Sequence, residues 1–288
     1  MKLERFTDVS AFDERVNAFL LEREAEHNLM LGLIRQLAQH PDHYDAPPYL
    51  TAVSDGDDTL VGVSLRTPPH NAILAHIALE HLAAVCDLLV ADYHATYDNL
   101  PGVVGRKDLV HHFAECWQAH TGQAYEVAIE ERIYQLTEVI PVDSVTGTSR
   151  LAEEADRDLY LQWIIGFHEE ALGETLDLKE ANARFDRYML TENELLLWEV
   201  DGQPVSMAGV AGLSPNGARI GPVYTPPEQR KHGYGSAVTA AISQRLRDSG
   251  RQFCFLYTDL SNPTSNHIYQ QIGYAPVCDV DMIRFKTL

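Results

Sequence analysis

The sequence predicts an α/β protein made of two similar domains, and three observations carry that expectation. Strand-like runs and amphipathic helical segments alternate along the whole chain, the pattern of sheets covered by helices. Two hairpins closed by Asp-Gly turns, Asp55-Gly56 and Asp201-Gly202, lie roughly 145 residues apart, as if one unit were present twice. A glycine-punctuated turn, Gly233-Tyr234-Gly235, joins a strand to a helix in the second half and has no counterpart in the first.

Taken in order, residues 3–6 read as a first strand, and two helices follow between residues 9 and 39. Pro47-Pro48 introduces a strand over 49–54, the Asp55-Gly56 turn, and a strand over 60–66. Residues 71–77 read as a strand, 79–93 as a helix, 103–104 as a short strand, 108–120 as a helix, and 125–136 as a long alternating strand. Residues 141–147 are polar and broken by Pro141 and Gly147, so they read as a linker. The domains are therefore expected over residues 1–140 and 148–288. In the second, a helix is expected over 153–171, with Leu159, Ile164 and Phe167 among its apolar positions, and another over 178–190. Residues 194–200 and 203–212 form the second hairpin. Residues 218–225 read as a strand stopped by Pro226-Pro227, and the next helix carries Val238, Ile242 and Leu246 on one face. A strand over 253–258, a helix ending at Gly273, and a strand pair over 275–278 and 281–285 complete the chain.

Composition narrows the function. A chain of 288 residues that is 45% hydrophobic can bury a sizeable core. No run is apolar enough to cross a membrane, and the first residues lack a secretory pattern. Cys86, Cys116, Cys254 and Cys278 are scattered without a Cys-x-x-Cys pair, which fits reduced thiols in a cytoplasm. A net charge of −20 argues against nucleic acid and anionic membranes and agrees with a cationic acceptor. His40 and His43, His76 and His81, and His111-His112 lack firm metal spacing, so no metal is expected. Trp117, Trp163 and Trp198 read as core. Oligomeric state is not legible.

The turn after the strand over 218–225 is built for phosphate. The first N–H groups of a helix point outward unpaired, and the helix dipole adds positive potential. Gly233 and Gly235 let an anion approach the backbone, with Tyr234 and Ser236 in the same turn. Arg230, Lys231 and His232 supply cationic or hydrogen-bonding side chains at its mouth.

Arg230-x-x-Gly233-x-Gly235 after a strand resembles the acetyl-CoA signature of the GNAT superfamily of N-acetyltransferases. Farther on, Asn262-Pro263-Thr264-Ser265-Asn266-His267-Ile268-Tyr269, with Gly273-Tyr274 closing the helix, is similar to that family's last motif. The resemblance implies two GNAT-like domains, each a twisted, mixed, largely antiparallel sheet flanked by helices. It implies transfer of acetyl from acetyl-CoA to a primary amine, by direct attack in a ternary complex. Backbone groups of Val223 and Thr225 are then expected to bond the pantetheine arm, and an N–H of Val223 or Tyr224 to face the thioester oxygen. Tyr269 matches the tyrosine near the CoA sulfur, where a phenol can protonate the departing thiolate. Asn262 and Asn266 are candidates for contact with the cofactor, although capping of the last helix accounts equally for Asn262.

The first half lacks these features. Ala75-His76-Ile77-Ala78-Leu79-Glu80 has neither glycine nor a cationic cluster, so that domain reads as GNAT-like without the cradle. The general base also stays open. Some relatives carry a glutamate where Arg219 stands, leaving His168, Glu169, Glu170, Asp259 or a chain of waters. A non-catalytic CoA-binding or sensing module, and a transferase of another acyl-CoA, remain as alternatives.

Overall fold

The structure, a computed structural model, describes residues 1–41, 44, 46–173 and 175–287. Its elements run Lys2–Phe6 (β1), Val9–Leu21 (α1), Glu24–Gln39 (α2), Tyr49–Ser54 (β2), Leu60–Arg66 (β3), Ala72–Leu74 (β4), Leu79–Thr96 (α3), Gly102–Arg106 (β5), Lys107–Thr121 (α4) and Tyr125–Leu136 (β6). The same order then returns. It runs Thr148–Leu151 (β7), Arg157–Phe167 (α5), Leu178–Leu190 (α6), Leu195–Val200 (β8), Gln203–Leu213 (β9), Gly217–Tyr224 (β10), Tyr234–Asp248 (α7), Phe253–Asp259 (β11), Pro263–Ile272 (α8) and Ala275–Phe285 (β12).

Two compact units emerge. The first holds Met1–Ile133, Tyr257–Pro263 and the chain from Pro276 onward; the second holds Tyr134–Leu256 and Thr264–Ala275. Beside a division at residues 140 and 148, the units differ in two respects. The segment 257–263 and nearly all of β12 group with the first unit, and residues 134–147 with the second.

In the first unit, strands follow the order β1-β2-β3-β4-β5-β12, antiparallel except for the parallel pair β4–β5. In the second the order is β7-β8-β9-β10-β11, antiparallel until the parallel pair β10–β11. The hairpin at Asp201-Gly202 has φ of 51° and 74° at its two turn residues. Those left-handed angles match the twist of the flanking strands, which explains the Asp-Gly pair. Side chains alternate across each sheet. Leu196 on β8 points into a core with Val238, Ile242 and Tyr269, whereas Leu195 and Leu197 join Tyr160, Trp163 and Phe185 of α5 and α6. The first unit is likewise covered on two sides, by α3 and α4 and by α1 and α2.

Three expectations are corrected. The strand pair over 275–278 and 281–285 is one strand, Ala275–Phe285, which pairs with β5 from Val280↔Arg106 to Arg284↔Gly102. Asp279, which stood where the turn was expected, is ion-paired with Arg132 at 2.6 Å, and neither Gly nor Pro lies between Cys278 and Asp281 to reverse the chain. The strand over 71–77 shrinks to Ala72–Leu74, and the His76 N–H is bonded to the His27 ring Nε2 at 2.9 Å. The helix over 153–171 becomes a 3-10 turn at Glu154–Asp156, then α5, then a π-helical turn at His168–Leu172 that ends at Gly173 with φ of 64°. Trp117 and Trp163 are buried as expected, while Trp198 is half-buried and donates its indole N–H to Thr146 O at 3.1 Å. His43 lies outside the described residues.

Candidate functional site

The second unit gathers the candidate residues at one end of β10. Parallel pairing with β11 covers Gly217↔Phe253 to Arg219↔Phe255. Beyond it the register with β9 shifts twice, between Arg219 and Ile220 and again before Val223, so β10 bulges as it leaves the parallel pair. Val223 and Tyr224 then resume pairing with Ala208 and Met207 of β9. Ser206 Oγ fixes the strand end, donating to Tyr224 O at 3.0 Å and lying 2.8 Å from Thr225 Oγ1.

From Thr225 the chain loops through a 3-10 turn at Pro227–Gln229 into α7. Lys231 has φ of 69° and Gly233 of 83°, so the backbone turns sharply before the helix. Gly233 caps α7 without any side-chain hydrogen bond, and the first intrahelical bond runs from Ala237 N–H to Gly233 O at 3.0 Å. The N–H groups of Tyr234, Gly235 and Ser236 precede that bond and point outward. A Cβ on Gly235 would stand 3.3 Å from Thr225 Oγ1. The turn therefore presents three donors and a positive dipole end in a space that a side chain would crowd, which fits a pyrophosphate. Lys231 and His232 are exposed there, and the His232 ring stacks on Tyr234 with centroids 5.3 Å apart.

Arg230 points elsewhere. Its Nε donates to Thr225 O at 2.9 Å and its Nη2 to Glu170 Oε2, while its guanidinium lies 5.8 Å from the centre of the Tyr224 ring. Glu170 Oε1 accepts from the Tyr224 hydroxyl at 2.9 Å. Burial pushes the Glu170 carboxyl up, but hydrogen bonds from Arg230 and Tyr224 and the Arg230 charge outweigh it and hold its pKa below the usual value. Burial and the Glu170 partner push the Tyr224 phenol up to about 12. Sequence reasoning missed the residue that makes room for this contact. Gly166 lies within α5, and a Cβ there would stand 2.8 Å from the Tyr224 hydroxyl. A glycine inside an apolar helical run was its signal.

Tyr269 of α8 is buried in the core that also holds Ile220 of β10 and Val238 of α7, with Val223 packed against it. Its hydroxyl has no hydrogen-bond partner among the described residues, and burial alone pushes it up to about 12. A phenol of that kind stays protonated at neutral pH and can donate, but cannot serve as a base. Asn266, one turn earlier, accepts from the Tyr134 hydroxyl at 3.0 Å. Asn262 and Asp259 group with the first unit. Of the remaining base candidates, Glu169 is exposed, and His168 is buried with its Nε2 3.1 Å from Arg184 Nη1.

The arrangement of strands and helices around this site recurs in solved structures of the same overall fold. A Drosophila protein aligns over 99% of this chain and 98% of its own, at 13% identity and a TM-score of 0.70. A GCN5-related N-acetyltransferase from Sphaerobacter thermophilus aligns over 98% and 95%, at 14% identity and 0.62. A tandem GNAT protein from the clavulanic acid biosynthesis pathway aligns over 99% and 98%, at 12% identity and 0.56. The fold is the GNAT fold. The family described as FR47-like protein matches residues 200–280, which run from the end of β8 into β12 and include the whole cradle. No curated protein matches the chain. At these identities the GNAT likeness of the whole chain is one of fold, with its α/β repeat as expected, and the chemistry rests on the site itself.

Proposed function

We propose that this chain is an N-acyltransferase that moves an acetyl group from acetyl-CoA to a primary amine in a ternary complex. The observation that carries the reading is the conjunction around β10. The α7 N-terminus offers Tyr234, Gly235 and Ser236 N–H groups to a pyrophosphate, and an unpaired Tyr269 hydroxyl belongs to the same core. Val223, Tyr224 and Thr225 run along the path assigned to the pantetheine arm, with Lys231 and His232 at its phosphate end and Arg230 on the loop that leads there. A neutral amine attacks the thioester carbonyl, a backbone N–H of Val223 or Tyr224 holds the oxyanion, and Tyr269 donates its proton as the sulfur leaves.

Residues 1–140 carry no equivalent cradle and serve in this reading as a companion domain. The acceptor is a small molecule that meets the α5 side of β10. Calorimetry with coenzyme A and acetyl-CoA, followed by a panel of amines with detection of the released thiol, tests the proposal. Micromolar binding and acceptor-dependent thiol release are the expected results.

One observation favours a second reading, that of a CoA sensor. Glu170 is already ion-paired with Arg230, and β10 itself carries no carboxylate. Binding without thiol release across the amine panel decides for it.

A further inference from the structure

We propose that Arg230 is a transferable cation, held by Glu170 in the free protein and drawn off by the phosphates of a bound acyl-CoA, which frees Glu170 to accept the proton of the incoming amine. The inference rests on the acyl-donor reading of the cradle, and it supplies the base that β10 lacks.

Exposure makes the exchange possible. The Arg230 and Glu170 side chains are 43% and 42% exposed, and an ion pair so open to water is weak and readily traded for another. Position makes it directional. Arg230 stands three residues before Gly233, on the loop that feeds the cradle, and its Nε is anchored on Thr225 O, next to the Thr225 Oγ1 that faces Gly235. A phosphate seated on the α7 N-terminus gives the guanidinium a more highly charged partner, suited to two parallel hydrogen bonds.

Glu170 does not lose every partner when Arg230 leaves. The Tyr224 hydroxyl still donates to Oε1 at 2.9 Å, which keeps the carboxylate aimed along β10 and leaves Oε2 open. The surrounding groups are Arg230 and Glu228 on the loop, Tyr224 on β10, and His168 and Glu169 on its own turn, with His168 engaged by Arg184 of α6. With Arg230 gone, the hydrogen bond and charge that hold the carboxyl down are removed, and the carboxylate becomes more basic.

The proton balance closes. An acceptor ammonium gives one proton to Glu170 Oε2, and Glu170 later returns it to solvent. The freed nitrogen lone pair forms the C–N bond as the C–S bond breaks. The sulfur takes the Tyr269 proton, and the proton lost from nitrogen restores Tyr269.

The test follows the Glu170 carboxyl by carbon-13 NMR, its resonance assigned through Glu170→Gln, in the free protein and with saturating coenzyme A. Coenzyme A is expected to raise the Glu170 midpoint by about 0.5 pH unit. Arg230→Ala is expected to raise it without ligand and to remove the further response, and Arg230→Lys to restore part of it. Calorimetric binding of coenzyme A with an unmoved midpoint overturns the transfer of Arg230 alone. Absence of any binding overturns the acyl-donor reading and this inference with it.

Discussion

In the proposed reaction Gly235 and Tyr269 act at opposite ends of the donor, and their substitutions test binding and chemistry separately. Gly235→Val puts branched carbon where the nearest neighbour of even a single Cβ, Thr225 Oγ1, is 3.3 Å away. Coenzyme A affinity is expected to fall about 100-fold, close to 2.7 kcal/mol, with little change in thermal unfolding because the side chain faces the ligand space. Calorimetry on folded protein reads this, and unchanged affinity would remove the phosphate role of the turn. Tyr269→Phe keeps the ring in its core with Tyr274, 6.0 Å between centroids, and deletes only the donor. Turnover is expected to fall at least tenfold with acyl-CoA affinity unchanged, since the hydroxyl matters as charge builds on sulfur. Because that phenol is pushed up to about 12, its proton stays in place from pH 6 to pH 10, and no loss of rate in that range should trace to it. An unchanged rate where chemistry limits turnover would make Tyr269 a packing residue.

At the scale of elements, the proposed function puts the acceptor against α5 and its π-helical turn. Gly166→Ala would push a Cβ to 2.8 Å from the Tyr224 hydroxyl and so dislodge the donor that aims Glu170. The expected result is a rise in acceptor KM with coenzyme A affinity held; an unchanged KM would separate Tyr224 from the acceptor. The opposite, N-terminal end of α5 has a pH signature. Arg150 bridges β7 to the start of α5 by bonding both oxygens of Asp156, at 2.6 and 2.8 Å. Those bonds outweigh burial and hold the Asp156 carboxyl below its usual value of about 3.8. The stabilisation is therefore complete above that value and is lost as pH falls through the lower folded one. Arg150→Ala should cost about 1–2 kcal/mol at pH 7, and unfolding should show the difference shrinking below pH 4.

Legibility followed locality. The second hairpin was readable because Asp201-Gly202 takes left-handed angles. The first closes through a longer loop, in which Asp55 accepts from the Asp57 and Thr59 N–H groups and Asp58 takes the left-handed angle. The cradle was readable because glycines, dipole and cations sit within seven residues of one another. The Glu170–Tyr224–Arg230 contact was not, since residues 54 and 60 positions apart meet only after packing. The continuous β12 was misread because Asp279 looks like a turn residue until Arg132 supplies its partner.

For the whole molecule, the repeated β-α-α-β-β-β-α-β-α-β order raises the question of how many acyl-CoA molecules one chain takes, and the first unit answers against a second. Its parallel pair, β4–β5, leads to α3, which starts after Ala78 without a side-chain cap, with Leu79 75% exposed and Glu80 in the first turn. An anion there meets a bulky apolar side chain and a negative charge in place of glycines and cations. The backbone is also engaged. His27 Nδ1 bonds Leu20 O at 2.8 Å, and its Nε2 accepts the His76 N–H just beyond β4. Burial pushes the His27 ring down to about 4, so it stays neutral and keeps that acceptor at any pH the protein works in. The His76 N–H, a donor that would otherwise be open to a second ligand, is thus already satisfied from within the unit. Titration calorimetry with coenzyme A should give one site per chain, and Gly235→Val should abolish that single transition without uncovering a weaker one. Two equivalent sites per chain would show that the first unit binds through some other surface.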